Sequence, residues 1–184
     1  MSYKYILGID PSGAFHEGNG TTGLCFFNSE DNRLVWGDML QAKSFSSMEE
    51  YWDAHCNLIE DTLRFYGIKP GNMVVVIEDY LLYADKAESQ IYSRMETPKL
   101  IGVLQHYLWK HDCPYFMQAA ARVIKRWSND ILVHGGYITK RGKSYYTATA
   151  VGGDYLNKHM LDAVRHAVHY HYFKIGESNE DSKQ

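Results

Sequence analysis

The fold is decided by a stretch near the start of the chain, Tyr3-Lys-Tyr-Ile-Leu-Gly-Ile-Asp-Pro11. Its apolar and partly β-branched centre predicts a short buried strand. Asp10 closes the strand, and Pro11 ends the ladder because proline has no backbone N–H to donate. A carboxylate at the end of a buried strand is costly without a cationic partner. An Asx-type turn into a surface loop is an equally simple interpretation of this stretch alone.

A second stretch favours a carboxylate with a cationic partner over a simple turn. Met73-Val-Val-Val-Ile-Glu-Asp79 runs through five apolar residues and ends in two acids. Two buried strands that deliver carboxylates at the same end provide the oxygen ligands that a divalent cation requires. Asp10 and Glu78 are therefore candidate metal ligands.

Length and composition bound the protein class. The chain has 184 residues, of which 45% are hydrophobic, and this predicts one globular domain over residues 1–175. No aliphatic run approaches the roughly 20 residues of a membrane span, and no signal peptide is visible. The three cysteines follow no metal-binding pattern and indicate reduced core thiols in a cytoplasmic protein. The charged, small residues 176–184 predict a disordered tail.

The net charge of −3 hides an uneven distribution. Residues 1–98 hold 7 basic against 15 acidic residues, whereas residues 99–174 hold 11 basic against 4 acidic residues. An acidic half joined to a basic half is typical of a carboxylate-rich metal site beside a surface for phosphates, although chance also produces such a pattern.

The remaining pattern alternates strands with helices. A capping box at Ser47 predicts the start of a helix that Gly67 ends. Residues 84–111 form a helical region, and the cluster Lys140-Arg-Gly-Lys143 indicates a basic hairpin. Further strands are predicted at residues 21–28, 33–39 and 115–117, and further helices at residues 119–127 and from Asp154 to about Phe173.

The last helix carries the richest cluster of polar side chains. His159, Asp162 and His166 are spaced by three and four residues and share one helical face. We interpret His166 and His169 as core histidines or part of a solvated face. His159 and Asp162 instead complete a ligand set with Asp10 and Glu78. Three carboxylates and one imidazole suit Mg²⁺ or Mn²⁺, and two such ions about 3.5–4 Å apart are a common arrangement for phosphodiester hydrolysis.

The order of these motifs resembles the ribonuclease H-like fold, an α/β fold with a mixed five-stranded sheet flanked by helices. More narrowly, it resembles the RuvC-type Holliday junction resolvases, especially their phage relatives. The resemblance covers residues 4–127 and 154–173. It rests on the following segments in order: Ile6-Leu-Gly-Ile-Asp-Pro11, Thr22-Gly23-Leu24, Val76-Ile-Glu78, Ala121-Arg-Val-Ile-Lys125 and His159-Met-Leu-Asp162.

The resemblance implies a metal-dependent endonuclease that cuts four-way or otherwise branched DNA and works as a homodimer. It also implies a location in the cytoplasm of a bacterium or a phage-infected host. Asp10, Glu78 and Asp162 would be the catalytic carboxylates, and His159 the fourth ligand of two Mg²⁺ or Mn²⁺ ions. Lys125 would contact a phosphate or the transition state. Water would attack the phosphodiester in line and leave 5′-phosphate and 3′-hydroxyl ends.

The resemblance and the charge pattern together predict a surface for DNA. Leu81 occupies the family's position for an aromatic wedge, so either Tyr80 or Tyr83 substitutes for it or the wedge is absent. The apolar face from Leu100 to Leu108 is either the dimer interface or an ordinary core face. The predicted DNA contacts are Arg122, Lys125, Arg126, Lys140, Arg141, Lys143, Tyr80 and Tyr83.

Two other classes of function share some of these features. An actin-like-fold ATPase has the same first motif, but this chain is short for two lobes and shows no second glycine-rich phosphate loop. A non-catalytic module that binds branched DNA would not need all four ligand types, which are present here. Nicking of a junction, set beside ATP hydrolysis, separates the three hypotheses.

Overall fold

A computed structural model of the protein describes residues 3–80, 94–148 and 153–173. Apolar, β-branched runs form the strands of a central sheet, as the sequence pattern predicts. These strands are β1 (Tyr5–Asp10), β2 (Thr21–Asn28), β3 (Arg33–Gln41), β4 (Met73–Asp79) and β5 (Tyr115–Ala119). A smaller sheet contains β6 (Ile138–Arg141), β7 (Ser144–Thr147) and β8 (Tyr155–Leu156).

Five helices flank these sheets within the described residues. The longest begins after Ser47, whose side chain accepts a hydrogen bond from the Glu50 N–H, and this confirms the predicted cap. Short 3₁₀ turns lie at Ala42–Ser44 and Pro70–Asn72. The helices are α1 (Met48–Phe65), α2 (Glu96–Lys110), α3 (Ala120–Arg126), α4 (Asn129–His134) and α5 (Lys158–Phe173).

The central sheet is mixed and confirms the predicted fold class. Its strand order is β3-β2-β1-β4-β5. The first three strands form an antiparallel meander, whereas β4 and β5 run parallel to β1. Parallel pairing places the carboxyl ends of β1 and β4 at the same edge of the sheet. Because β1 is the central strand, its last residue lies between β2 and β4.

The sheet separates two apolar cores. On one face, α1 and α2 cover side chains such as Leu7, Phe26 and Ile77. On the other face, α3, α4, α5 and the small sheet cover side chains such as Ile6 and Phe27. The alternation of side chains along β1 explains the division, since Ile6 and Leu7 point to opposite faces.

The apolar face of α2 is part of the core. Leu100, Leu104 and Leu108 are completely buried against the sheet. The interpretation of this face as a dimer interface is therefore wrong, because no area of these side chains is left for a partner. All three cysteines are buried and unpaired, as predicted. No helix in the described ranges is both long enough and apolar enough to span a membrane.

Between residues 128 and 158 the structure contains one helix that the sequence does not predict, and it shows that one prediction is wrong. Helix α4 was not predicted, although Ser128 caps it through the Ile131 N–H. The last helix begins at Lys158, not at Asp154, because Tyr155 and Leu156 pair with β7 as a third strand of the small sheet. The predicted basic hairpin is confirmed, with Arg141 paired to Ser144 next to the turn.

Candidate active site

Asp10 and Glu78 lie next to each other at one edge of the central sheet. Ile9 is in register with Ile77 in the parallel pair of β1 and β4, so the residues that follow them are also neighbours. The Asp10 side chain is 14% exposed and that of Glu78 is 24% exposed. The proximity that the sequence predicts for these carboxylates is thus present.

Helix α5 reaches this edge because two glycines let it pack directly on the sheet backbone. A Cβ atom on Gly23 would lie 2.1 Å from the His159 carbonyl oxygen. A Cβ atom on Gly8 would lie 2.4 Å from the carbonyl oxygen of Ala163. Glycine at both positions therefore allows the helix to bring His159 and Asp162 to the strand ends.

His159 is hydrogen-bonded to Asp10. Its Nδ1 lies 2.9 Å from Asp10 Oδ2, and the imidazole is 41% exposed. This hydrogen bond raises the pKa of His159 above its usual value, while burial opposes the rise. Burial raises the pKa of Asp10, the hydrogen bond from His159 opposes that rise, and the charges of Glu78 and Asp162 add to it. Negative charge is therefore concentrated around Asp10.

Asp162 has a cationic partner on its own helix. The guanidinium of Arg165, one turn further along α5, donates from Nη1 to Asp162 Oδ1. Arg165 also donates from Nε to the Trp127 carbonyl at 2.8 Å and from Nη2 to the Asn129 side chain. These three bonds tie the Asp162 carboxylate to the connection between α3 and α4. The arginine thus fixes the position of a buried acid.

Glu78 is held by a fully buried histidine. His166 Nε2 lies 3.0 Å from Glu78 Oε2, and its Nδ1 lies 3.0 Å from Gln118 Oε1. Both partner atoms are oxygens, so a ring that donates to both carries a positive charge. A neutral ring needs one donor in return, and the Gln118 amide can supply it by rotation, since its Nε2 has no partner among the described residues. In either state an N–H of His166 orients Glu78.

A second buried network supports the backbone just after Asp10. The Tyr51 hydroxyl donates to the Ser12 carbonyl at 2.8 Å, and the Ser12 N–H donates to Thr22 Oγ1 at 3.1 Å. His55 Nδ1–H donates to the Tyr51 carbonyl, which leaves Nε2 to accept from the Thr22 hydroxyl at 2.8 Å. Burial lowers the pKa of His55 to about 4, so this ring is neutral at physiological pH.

The four predicted ligands surround one cavity of about 740 Å³. Its basic wall includes Lys143 from the hairpin and Lys158 at the start of α5. Carboxylates and ammonium groups around one cavity suit a substrate that carries phosphates. The cavity is lined by Asp10, Pro11, Ser12, Glu78, Ile124, Asn129, Lys143, Ser144, Tyr145, Tyr155, Leu156, Lys158, His159, Leu161, Asp162 and Arg165.

The donor set of this cavity fits a divalent cation in its chemistry. Three carboxylates and one imidazole are available, and the neighbouring charges that raise the pKa of Asp10 would be relieved by a cation. Within the described ranges, no three His, Cys, Asp or Glu side chains are arranged to hold an ion. Each carboxylate is instead bonded to His159, Arg165 or His166.

The basic residues predicted to contact DNA occupy two surfaces. Arg122, Lys125 and Arg126 are exposed on α3 and are not among the residues that line the cavity. Lys140, Arg141 and Lys143 are exposed on the hairpin, and of these Lys143 lines the cavity. Tyr80 is half-buried and packs partly against the α1–α2 core. Tyr83 and Leu81 lie outside the described residues.

Four functional residues were not identified from the sequence as part of the site. Arg165 had a visible signal, because it lies three residues after Asp162 and has the opposite charge. The sequence leaves His166 as either a core histidine or part of a solvated face; its complete burial supports the first, but its bond to Glu78 depends on tertiary packing. Gln118 and Lys158 carried no local signal.

Comparisons with known proteins support the fold through structural similarity at low sequence identity. No protein-family model matches the chain, and no curated protein matches its sequence. Among solved structures, the chain is similar to T. thermophilus RuvC in complex with Holliday junction substrate, with a TM-score of 0.64 and 15% identity. The match covers 95% of this chain and 97% of that one. A match to the fowlpox virus Holliday junction resolvase has a TM-score of 0.40 and 15% identity, and covers 97% of this chain and 99% of that one.

The likeness to RuvC confirms the predicted ribonuclease H-like fold. At this identity, fold similarity alone does not carry an activity from one chain to the other. The case for function depends on the cavity and its side chains.

Proposed function

We propose that this protein is a metal-dependent endonuclease that resolves four-way or otherwise branched DNA by phosphodiester hydrolysis. The observation that carries the proposal is the convergence of three carboxylates and an imidazole on one cavity with a basic wall. The structural likeness to a resolvase bound to its junction supports it. A decayed site would not be expected to keep a separate polar partner for each carboxylate.

Asp10, Glu78, Asp162 and His159 would hold two Mg²⁺ or Mn²⁺ ions. Such ions supply charge neutralisation and Lewis-acid activation at the scissile phosphate. The chain's own contribution is orientation. Arg165 and His166 are bonded to two of the carboxylates and hold them in place, and the His55 network fixes the backbone that follows the third.

The basic residues would bind the DNA backbone and place a phosphate at the cavity. Lys143 and Lys158 line the cavity, so they would contact the reacting phosphate in this arrangement. Lys125, Arg122 and Arg126 would contact the backbone further away, on the exposed side of α3. A phosphate contact by an ammonium or guanidinium group positions the duplex without reading its sequence.

We further propose that the protein works as a homodimer in the cytoplasm. A four-way junction presents two equivalent strands to be cut, and a two-fold symmetric enzyme matches that symmetry. The three unpaired cysteines fit a reducing compartment. Sedimentation of the free protein and of its junction complex would measure the oligomeric state directly.

The decisive experiment compares cleavage of matched four-way, three-way, flap and linear DNA in Mg²⁺ and in Mn²⁺. Asp10→Asn should abolish cleavage and leave junction binding unchanged or tighter, because it removes a charge that repels phosphate while keeping the shape. Asp61→Asn is the matched control, since Asp61 is 68% exposed on α1, outside the cavity.

Each outcome separates the hypotheses. Metal-dependent cutting of branched DNA by the wild type, lost in Asp10→Asn, supports the proposal. Junction binding without cleavage in either metal would instead make the protein a non-catalytic DNA-binding module. ATP hydrolysis without DNA cleavage would favour the actin-like alternative.

A further inference from the structure

The small sheet has one row of side chains that builds the core and another that does not. The inner row includes Ile138, Thr147 and Leu156, all of which are buried. Leu156 packs over β3 at Gly37, where a Cβ atom would lie 2.6 Å from the leucine Cδ2. Since the register pairs Tyr146 with Tyr155, and alternation sets them apart from Leu156, both tyrosines belong to the outer row.

The outer row forms a continuous aromatic and basic ladder across three strands. Arg141 on β6 lies over the ring of Tyr146 on β7, with its guanidinium carbon 5.0 Å from the ring centroid. Tyr146 in turn contacts the ring of Tyr155 on β8, at 6.0 Å between centroids and 71° between planes. Tyr155 is 57% exposed, so much of its surface is free for a ligand.

One end of this ladder, at Tyr155, borders the candidate active site. Tyr155 lines the cavity together with Lys143 and Lys158. The segment from 137 to 158 carries four basic residues against one acidic residue, and this favours a polyanion over an acidic or neutral protein surface. Exposed aromatic rings beside basic groups are the usual components of a surface that binds single-stranded nucleic acid.

We propose that the outer row, Arg141–Tyr146–Tyr155, binds unpaired nucleotides of the strand that enters the active site, with a base stacked on Tyr155. This rests on the proposed function and adds the substrate feature that the site selects. In an intact duplex both faces of each base are covered by its neighbours, so a tyrosine ring can stack only on a base that has left the helix. The row therefore favours branch points at which bases are unpaired over continuous duplex.

The test measures binding of a fluorescein-labelled dT12 oligonucleotide and of a 12-base-pair duplex to the full-length protein by anisotropy, in EDTA. Tyr155→Leu should weaken dT12 binding about tenfold, as expected for the loss of one stacked base, and leave duplex binding nearly unchanged. Tyr155→Trp should tighten dT12 binding, because it enlarges the ring. Trp109→Leu is the control, since Trp109 is 70% exposed on α2, which covers the opposite face of the central sheet.

Three results would overturn the inference: no binding of dT12 by the wild type, no effect of Tyr155→Leu, or equal loss on dT12 and duplex. Equal loss would mean that the ring supports backbone contacts only. Because the assay needs no cleavage, it fails independently of the proposed activity. Binding of dT12 by a protein that cuts no DNA would contradict the nuclease proposal alone, and normal junction cleavage without a Tyr155 effect would contradict this inference alone.

Discussion

Each face of the central sheet buries one histidine completely, and the two histidines have partners of different character. His55, on α1, is bonded to a backbone carbonyl and a threonine hydroxyl. His166, on α5, is bonded to the Glu78 carboxylate and the Gln118 amide. Both rings are 0% exposed. Burial alone therefore does not distinguish a histidine of the scaffold from one of the site.

The difference lies in what each ring holds in place. His55 acts through Thr22 on the backbone of Ser12, so its replacement should mainly lower the stability of the protein. His166 acts directly on a side chain of the cavity, so its loss would first be felt in catalysis. The network on the α1 face stabilises the backbone beside the site, whereas the network on the α5 face orients the side chains of the cavity.

The largest effect is expected where α5 touches the sheet. Gly23→Ala puts a Cβ atom 2.1 Å from the His159 carbonyl, so one of the two backbones must shift, and we expect this shift to move His159 relative to Asp10. We expect a loss of about 3 kcal/mol in the free energy of unfolding from overpacking. Junction cleavage should fall about 100-fold, as for a displacement of reacting groups by about 1 Å. Urea unfolding and single-turnover cleavage measure the two effects.

Gly102→Ala makes the same change on the opposite face. An added Cβ atom at Gly102, on the exposed side of α2, meets nothing within 4 Å. Alanine in a helix interior should stabilise the protein by about 0.5–1 kcal/mol and leave cleavage unchanged. Equal effects of the two substitutions would refute the claim that close packing of α5 is what positions the site.

A smaller loss of cleavage is expected from His166→Leu. The leucine fills most of the space of the ring but gives Glu78 no hydrogen bond, and loss of such an orienting group typically costs about 10–100-fold in activity or metal affinity. His166→Gln can present an amide N–H near the position of Nε2, so it should recover part of that loss. The measurement is the single-turnover rate across a metal titration.

The two variants separate orientation from packing. If His166 serves only as core, both should lose stability and neither should change the cleavage rate of the folded protein. Recovery by glutamine with a thermal midpoint no higher than that of the leucine variant is the result that packing does not explain.

Much of the site could be predicted because its carboxylates follow local signals. Asp10 and Glu78 each end an apolar run, and parallel strands bring such ends together. Asp162 and His159 share a helical face through their spacing alone. These relations hold whatever the rest of the chain does, so local sequence is enough to find them.

The contacts that could not be predicted from the sequence depend on packing between distant segments. The bond between His166 and Glu78 joins residues 88 apart in sequence, and it exists because Gly8 and Gly23 set the height of α5 above the sheet. The strand at Tyr155–Leu156 is similar, because two residues have no periodicity of their own and Leu156 is fixed by its place over Gly37. Close approach between backbones has no signature that one segment carries alone.

The smallest effect on cleavage is expected at His55, where the response should be one of stability and pH. The pKa of this ring is about 4 in the folded protein and 6.5 in the unfolded chain. Between these values the unfolded chain binds a proton that the folded protein does not, so stability falls as pH falls from 6.5 to 4. The ring should account for a loss of about 3 kcal/mol across this window.

His55→Gln keeps an acceptor for the Thr22 hydroxyl but does not titrate. Its free energy of unfolding, measured in urea at intervals from pH 7.5 to 4, should be lower than wild type at neutral pH and should fall less steeply on acidification. Tyr51→Phe is the matched control, because it removes the hydroxyl bonded to Ser12 in the same network and leaves His55 in place. That variant should lower stability at every pH without changing the slope. If His55→Gln instead retains the full wild-type slope, the loss of stability at acidic pH comes from carboxylates and not from His55. The proposed contrast between the two buried histidines would then be wrong for the histidine on α1.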